Sequence, residues 1–251
     1  MKKPLMAGNW KMNKTVSEAV GLVKTLKNAV SDVMNIEILV CPAFTALYAV
    51  NNEIRGSNIN LGAQNLFLEP KGAFTGEISP MMIKDIGCSY AIIGHSERRQ
   101  YFFETNELVN KKAKAAFVAT LVPIVCIGET LKEREDNVTF KVIEKQIRES
   151  LSGFTLEQSC SVVIAYEPVW AIGTGKNAYP EQVQEIHCFI RKIYEQMYGK
   201  NAADKVRVLY GGSVNPRNVS DLMKKPDIDG YLVGGASLEA ESFTKLIRYF
   251  K

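Results

Sequence analysis

Three ionisable residues each follow a run of mostly apolar residues, where a segment typical of a protein core gives way to polar ones. They are Lys11, His95 and Glu167. A carboxylate there is costly to bury unpaired, so Glu167 is either paired structurally or available as a general base. A helix beginning at His95 would favour a neutral imidazole that donates a hydrogen bond, although a purely structural histidine also fits. Lys11 is either a solvated cation or a binding group, so all three are candidates for chemistry.

Two glycine pairs follow the last two apolar runs of the chain. Gly211 and Gly212 precede Ser213, and Gly234 and Gly235 come later in the chain. Glycine lets a backbone approach an anion closely, and the free N–H groups at a helix start can bind it. Tight turns alone also use glycine, but a pair at both places favours a phosphate site.

The segment after Glu167 has the composition of a lid. Pro168 stiffens one end, two glycines free the other, and Trp170 and Ile172 supply apolar surface that would exclude water on closing. The lid residues are Pro168, Val169, Trp170, Ala171, Ile172, Gly173, Thr174, Gly175 and Lys176.

Short apolar runs alternate with helical patterns along the chain. Most runs are continuous, which is typical of parallel strands covered on both faces. Capping signals open several helical patterns, as at Thr15 and Glu18, at Thr130 and Glu133, and at Ser79 before a proline. The predicted strands are residues 5–9, 36–41, 59–63, 90–94, 122–127, 161–166, 206–210 and 230–233.

Eight strand–helix units in 251 residues predict an α/β fold, a closed eight-stranded parallel (β/α)₈ barrel. A doubly wound open sheet is the alternative, because periodicity does not report closure. No linker or composition shift divides the chain, so one domain over residues 1–251 is expected. In such barrels the active site lies at the carboxyl ends of the strands, and the loops after strands seven and eight usually bind phosphate.

Residues 64–79 are long for a connection in a compact barrel and have little periodicity. Such segments are usually functional or interfacial. An exposed Phe74 beside Thr75 and Gly76 indicates insertion into a partner.

Composition excludes several classes of protein. The net charge is +4, and the scattered Lys and Arg residues are typical of a solvated face, so nucleic-acid binding is not predicted. The longest uncharged stretch, residues 38–52, contains Pro42 and is too short to span a membrane. Five separated cysteines form no CxxC pair, and no residue set has metal-ligand spacing, so no metal is predicted and a reducing cytoplasm is expected.

Four segments in the right order resemble the triosephosphate isomerase family, and the resemblance covers essentially the whole chain. They are residues 9–13, 93–99, 166–176 and 210–214. The resemblance implies a (β/α)₈ barrel that interconverts dihydroxyacetone phosphate and D-glyceraldehyde 3-phosphate through an enediolate, in glycolysis and gluconeogenesis, without a metal or cofactor.

The same resemblance implies a role for each site residue. Glu167 is the base that moves the proton between two carbons, and His95 is the neutral electrophile that polarises the carbonyl. Lys11 contributes positive charge and Asn9 contributes a hydrogen bond. Glu97 lies close behind these catalytic residues and orients them.

Phosphate contacts and assembly also follow from the resemblance. Ile172 and Leu232 form an apolar clamp over the base. The chain is expected to form a homodimer in which Phe74, Thr75 and Gly76 insert into the neighbouring subunit near Lys11. Backbone N–H groups hold the phosphate at Gly173, Ser213, Gly234 and Gly235.

Two residues depart from the family's pattern. Phe103 stands where a glycine often follows the two arginines, which is expected to change how the next helix begins. Tyr179 stands where Thr or Ser usually caps a helix, at a local cost of about 1 kcal/mol.

Two alternative functions fit parts of the pattern. Another phosphosugar barrel enzyme would keep the glycine pairs but need not combine Lys11, His95 and Glu167. A catalytically idle barrel kept as a binding protein would be expected to lose one of the three or the lid, and the sequence retains all of them.

Overall fold

The computed structural model describes residues 2–171, 178–214 and 218–249. Within these ranges the strands pair in parallel, each with the next in the chain, and β8 pairs back to β1 with Leu5 opposite Gly230. The predicted closed barrel is confirmed and the open-sheet alternative is wrong. The strands β1 to β8 are Leu5–Asn9, Glu37–Cys41, Ile59–Ala63, Tyr90–Ile93, Val122–Ile127, Val163–Tyr166, Arg207–Tyr210 and Gly230–Val233.

Helices surround the barrel, and three short 3₁₀ turns lie at Phe44–Ala46, Val169–Ala171 and Gly235–Leu238. In the described ranges no helix is both long and apolar enough to cross a membrane. The α-helices α1 to α12 are Val16–Ala29, Leu47–Ile54, Pro80–Asp85, Ser96–Tyr101, Asn106–Val118, Leu131–Glu135, Thr139–Ser150, Leu156–Ser161, Pro180–Tyr198, Lys200–Lys205, Val219–Met223 and Ala240–Arg248.

Most strand bounds agree with the sequence within one residue, but the start of β6 was predicted wrongly. Residues up to Ser161 belong to α8, because Thr155 Oγ1 accepts the Gln158 N–H at 3.2 Å and caps a short helix. Cys160 therefore lies on a helix and is only partly buried. β4 ends one residue early because Gly94 has a φ of +68°.

Two apolar layers explain the continuous strand pattern. Alternate strand residues fill the barrel interior, and the intervening ones pack against the helices. The interior layer consists of Leu5, Ala7, Leu39, Cys41, Tyr90, Ile92, Ile124, Cys126, Val163, Ala165, Leu209 and Leu232.

A polar cluster closes the amino-terminal end of the barrel. The Arg207 guanidinium donates to Glu37 Oε2 at 2.5 Å and to the Tyr90 hydroxyl at 2.9 Å, and that hydroxyl donates to Glu37 Oε1 at 2.5 Å. Burial raises the pKa of Tyr90 to about 12, so the phenol stays neutral and keeps donating. The charges of Arg207 and Glu37 are paired with each other, so this cluster has a structural role. The opposite end of the barrel, at the carboxyl ends of the strands, is left for chemistry.

His187 is a fully buried histidine on α9. Its Nδ1–H donates to the Asp227 carbonyl oxygen at 3.1 Å, and its ring meets Tyr166 edge-on at 5.9 Å. Its Nε2 has no hydrogen-bond partner among the residues that the structure describes. Burial lowers the pKa of His187 to about 4, because the core does not solvate an imidazolium.

Acid should therefore destabilise the fold through His187. Its pKa is lower in the folded than in the unfolded chain, so between about pH 6.5 and pH 4 the unfolded state binds the proton first. We expect this residue to remove about 3 kcal/mol from the free energy of unfolding across that window. Urea unfolding of the wild type and of His187→Asn at several pH values measures the difference. Identical pH dependence in both proteins would contradict the assignment.

Candidate active site

A cavity of about 330 Å³ lies at the carboxyl ends of β1, β4, β6, β7 and β8. The structure brings the predicted base, imidazole, lysine and glycine turns together around it. The predicted residues that line it are Asn9, Lys11, His95, Glu167, Ser213, Leu232, Gly234 and Gly235.

Glu167 is fully buried between two donors. Its Oε1 lies 3.0 Å from His95 Nε2, and its Oε2 accepts the backbone N–H of Ser96 at 3.0 Å. Burial alone raises the pKa of Glu167, but the charge and hydrogen bond of His95, the Ser96 N–H and the charge of Lys11 outweigh it and lower the pKa. In this arrangement the carboxylate is ionised and ready to accept a proton.

His95 caps α4, and this position fixes its tautomer. The Glu97 N–H donates to His95 Nδ1 at 3.2 Å, so Nδ1 carries no proton and Nε2 carries the N–H that faces Glu167. Burial alone lowers the pKa of His95, whereas the carboxylates of Glu167 and Glu97 raise it overall. The ring therefore presents a hydrogen-bond donor to the cavity.

Lys11 sits in the left-handed region, with a φ of +53°. Its backbone is held on both sides, because the Lys11 N–H donates to Asn9 Oδ1 at 3.0 Å and Gln64 Nε2 donates to its carbonyl at 2.8 Å. Its Nζ pairs with Glu97 Oε1 at 2.6 Å. Asn9 and Glu97 thus position the lysine, and Gln64 is a supporting residue that sequence reasoning missed.

Two glycines make room for Glu167. A Cβ on Gly211 would lie 2.8 Å from Glu167 Cγ, and a Cβ on Gly128 would lie 1.7 Å from the Glu167 carbonyl oxygen. Backbone atoms at Gly128 cannot give way, so this position requires glycine.

The first part of the predicted lid, residues 168–171, is anchored to Glu129, two residues after the end of β5. Trp170 Nε1 donates to Glu129 Oε1 at 2.9 Å, and the Val169 N–H donates to the Glu129 carbonyl at 3.1 Å. The Tyr166 hydroxyl and Arg134 reach the same carboxylate oxygen, each at 3.2 Å. The lid residues Ile172, Gly173, Thr174, Gly175 and Lys176 lie outside the described residues.

Sequence reasoning missed Glu129, although the signal was present. Glu129 follows β5 after a single glycine and is fully buried, just as Glu167 follows β6. The argument that a carboxylate behind an apolar run must be paired or functional applies equally to both residues.

Three of the residues predicted to bind phosphate, Ser213, Gly234 and Gly235, lie along the cavity. Ser213 follows the Gly211 turn, and Gly235 begins the 3₁₀ turn that comes after β8. Leu232, predicted to belong to the clamp, is buried and lines the same cavity as Glu167. Gly173 and Ile172 lie outside the described residues.

The two departures from the family's pattern have local effects. Phe103 is 82% exposed with a φ of +54°, and α5 still begins normally with the Thr105 hydroxyl accepting from the Leu108 N–H at 3.2 Å. The expectation that Phe103 alters that helix is wrong, because Thr105 supplies the cap. Tyr179 gives no side-chain cap, but Gln182 Oε1 accepts its N–H at 3.1 Å.

No cluster of ligating side chains suited to a metal ion occurs in the described ranges. The fold and the site are those of barrel enzymes that perform acid–base chemistry on small anionic substrates.

Known proteins similar to this chain include several triosephosphate isomerases. The family model for triosephosphate isomerase matches residues 4–250. A triosephosphate isomerase of Endomicrobium trichonymphae is 75% identical over 251 residues, covering 100% of both chains. One of Carboxydothermus hydrogenoformans is 56% identical over 248 residues, covering 99% of each. The crystal structure of triosephosphate isomerase from Bartonella henselae matches with a TM-score of 0.90 at 39% identity, covering 99% of each chain. The chain belongs to the triosephosphate isomerase family.

Proposed function

We propose that this protein interconverts dihydroxyacetone phosphate and D-glyceraldehyde 3-phosphate, with Glu167 as the base. The observation that carries the proposal is the facing pair at the cavity, Glu167 Oε1 and His95 Nε2, 3.0 Å apart. When Glu167 moves from His95 onto the substrate, His95 Nε2 becomes free to donate to the carbonyl oxygen and the carboxylate faces the neighbouring carbon. Family membership also favours this reaction over that of another phosphosugar enzyme.

The proton transfer uses both groups. Glu167 removes a proton from the carbon beside the carbonyl, and the Nε2–H of His95 donates to the carbonyl oxygen, where negative charge develops in the enediolate. Glu167 then returns the proton to the neighbouring carbon. The Lys11 cation stabilises the charge on the enediolate and on the phosphate.

Glu167 gains basicity when it leaves its resting partners. The Ser96 N–H and the His95 contact lower its pKa, whereas burial raises it. Moving onto the substrate gives up the Ser96 hydrogen bond, and closure of the apolar lid residues strengthens the effect of burial. The carboxylate is then a stronger base at the moment of reaction.

The phosphate is held by backbone groups at the other end of the cavity. Ser213, Gly234 and Gly235 line that end, and their N–H groups are the proposed ligands together with that of Gly173. Lys11 lies between this end and the base, so one cation serves both parts of the substrate.

An isomerase assay tests the proposal. D-glyceraldehyde 3-phosphate is supplied with a chelator and no nucleotide, and formation of dihydroxyacetone phosphate is followed. We expect fast conversion. No conversion by folded protein would overturn the proposal and favour a barrel kept for binding.

We also propose a homodimer in the cytoplasm. The segments after β1, β2, β3 and β4 lie side by side and carry exposed apolar side chains, among them Met12, Phe44, Phe74 and Phe102. An apolar surface of this kind is typical of a protein–protein interface, and a second copy with the same surface satisfies it. Five free cysteines support a reducing compartment.

A charge at Thr75 should weaken this dimer. Thr75 follows Phe74, which is 43% exposed and whose ring contacts that of Phe67 at a tilt of 46°, with the ring centres 4.6 Å apart. We expect Thr75→Asp to raise the dissociation constant at least tenfold, because the carboxylate is desolvated in the interface. Sedimentation over a dilution series measures it, and Thr25→Asp on the outer face of α1 is the control. Equal profiles for the two variants would contradict the interface.

A further inference from the structure

Gln146, on α7, makes two hydrogen bonds to a single residue at the end of β5. Its Nε2 donates to the Gly128 carbonyl at 3.0 Å, and its Oε1 accepts the Gly128 N–H at 2.8 Å. The amide therefore satisfies both backbone polar groups of Gly128. The two bonds together fix the orientation of the Gln146 side chain. We call this pair of hydrogen bonds the Gln146 clamp.

Gly128 lies directly behind the base. A Cβ there would be 1.7 Å from the Glu167 carbonyl oxygen, so the two backbones are in close contact. The adjoining Glu167 N–H donates to the Ile127 carbonyl at 2.7 Å. The next residue along the chain, Glu129, holds Trp170 of the lid. One turn thus supports both the base and the start of the lid.

Packing does not hold this turn from every side. A second cavity of about 260 Å³ lies behind Glu167, lined by residues that include Gly128, Gln146 and Val169. Protein atoms do not fill this space, so the turn lacks van der Waals support there. The Gln146 clamp joins the backbone of Gly128 to α7, a helix outside the barrel.

We propose that Gln146 is a positioning residue for the isomerisation, acting through Gly128 on Glu167 and through Glu129 on the lid. The inference rests on the proposed function, because it assigns Glu167 as the base. A shift of the Gly128 backbone moves the carbonyl of Glu167, and displacing a reacting group by a fraction of an ångström lowers the rate of the chemical step. Gln146 does not line the substrate cavity, so substrate affinity should change little.

Two variants test the clamp. Gln146→Met keeps the length of the side chain and removes both hydrogen bonds. Gln146→Glu keeps an acceptor for the Gly128 N–H, but its ionised carboxylate cannot donate to the Gly128 carbonyl. Lys145→Met, on the same helix at an exposed position, is the control.

We expect Gln146→Met to lower kcat about tenfold with KM changed less than about twofold. Lys145→Met should change neither. In Gln146→Glu the ratio of kcat to that of the wild type should rise as the pH falls from about 6 toward about 4.3, the ordinary pKa of glutamate, because a protonated carboxyl regains the donor. If Gln146 had only a structural role, kcat would not fall while KM stays nearly constant, and the ratio of the kcat values would not change with pH.

Trp170 gives a second readout that does not need turnover. Loss of the clamp loosens Glu129, so the emission of Trp170 should shift in Gln146→Met and stay unchanged in Lys145→Met. An unaltered kcat in folded Gln146→Met, or an equal loss in the control, would overturn the inference. If Gln146→Met does not fold, the pH ratio of Gln146→Glu decides. An inactive wild type would instead overturn the proposed function, and the Trp170 emission would still test the clamp.

Discussion

Glu167→Asp should lower kcat about a thousandfold while the protein stays folded. Aspartate is shorter by one methylene, about 1.5 Å, so its carboxylate stops short of the carbon acid. Its reach to the Ser96 N–H and His95 Nε2, each at 3.0 Å in the wild type, shortens equally. Both the resting position and the reacting position of the base are therefore lost.

The fold should tolerate this change. Removing one buried methylene costs about 1 kcal/mol, which a barrel of this size absorbs. Steady-state kinetics measure kcat, and thermal unfolding checks that the variant is folded. Glu185→Asp, an exposed position on α9, is the matched control and should keep wild-type activity. Turnover near that of the wild type in Glu167→Asp would remove Glu167 from its assigned role.

Lys11→Met should lower kcat/KM by at least about a thousandfold. Among the described residues that line the substrate cavity, Lys11 is the only Lys or Arg, and Glu167 is already an anion there. Methionine keeps the unbranched shape and removes the charge. A phosphate dianion and an enediolate would then meet a site of net negative charge, so both binding and the chemical step should weaken.

Lys14→Met provides the control for general charge effects. Lys14 is three residues away and pairs at 3.6 Å with the exposed Glu239. The same loss of charge there should change kcat/KM less than about twofold, because exposed pairs are weak and screened. Equal losses in the two variants would show that net charge, and not the position of Lys11, matters.

Much of the fold was readable from the sequence because its signals are local. The strands are continuous apolar runs buried on both faces, and alternation with helical patterns specifies parallel pairing. The start of β6 was misplaced because α8, capped at Thr155, ends at Ser161 with a single residue before the strand. Where a helix and a strand adjoin without a turn, hydrophobicity alone does not separate them.

The candidate site was readable to a smaller extent. Lys11, His95 and Glu167 stand at strand ends, where the barrel brings separate parts of the chain together. The supporting residues are different, because Gln64 and Gln146 are ordinary polar residues in a long loop and a helix. Their roles come from contacts with Lys11 and Gly128, which only the folded chain defines. Spacing carries no signal for such contacts.

Because β8 pairs with β1, the barrel closes only when synthesis of the chain is nearly complete. Leu5 of β1 lies opposite Gly230 of β8. One edge of β1 therefore stays unpaired until almost the whole chain has been synthesised. A nascent chain therefore carries two unpaired strand edges until its last strand leaves the ribosome, and exposed edges invite pairing with other chains. Gly234 and Gly235, the proposed phosphate-binding residues, emerge directly after that strand. Closure of the barrel and completion of the site thus coincide, and a chain stopped before β8 has neither.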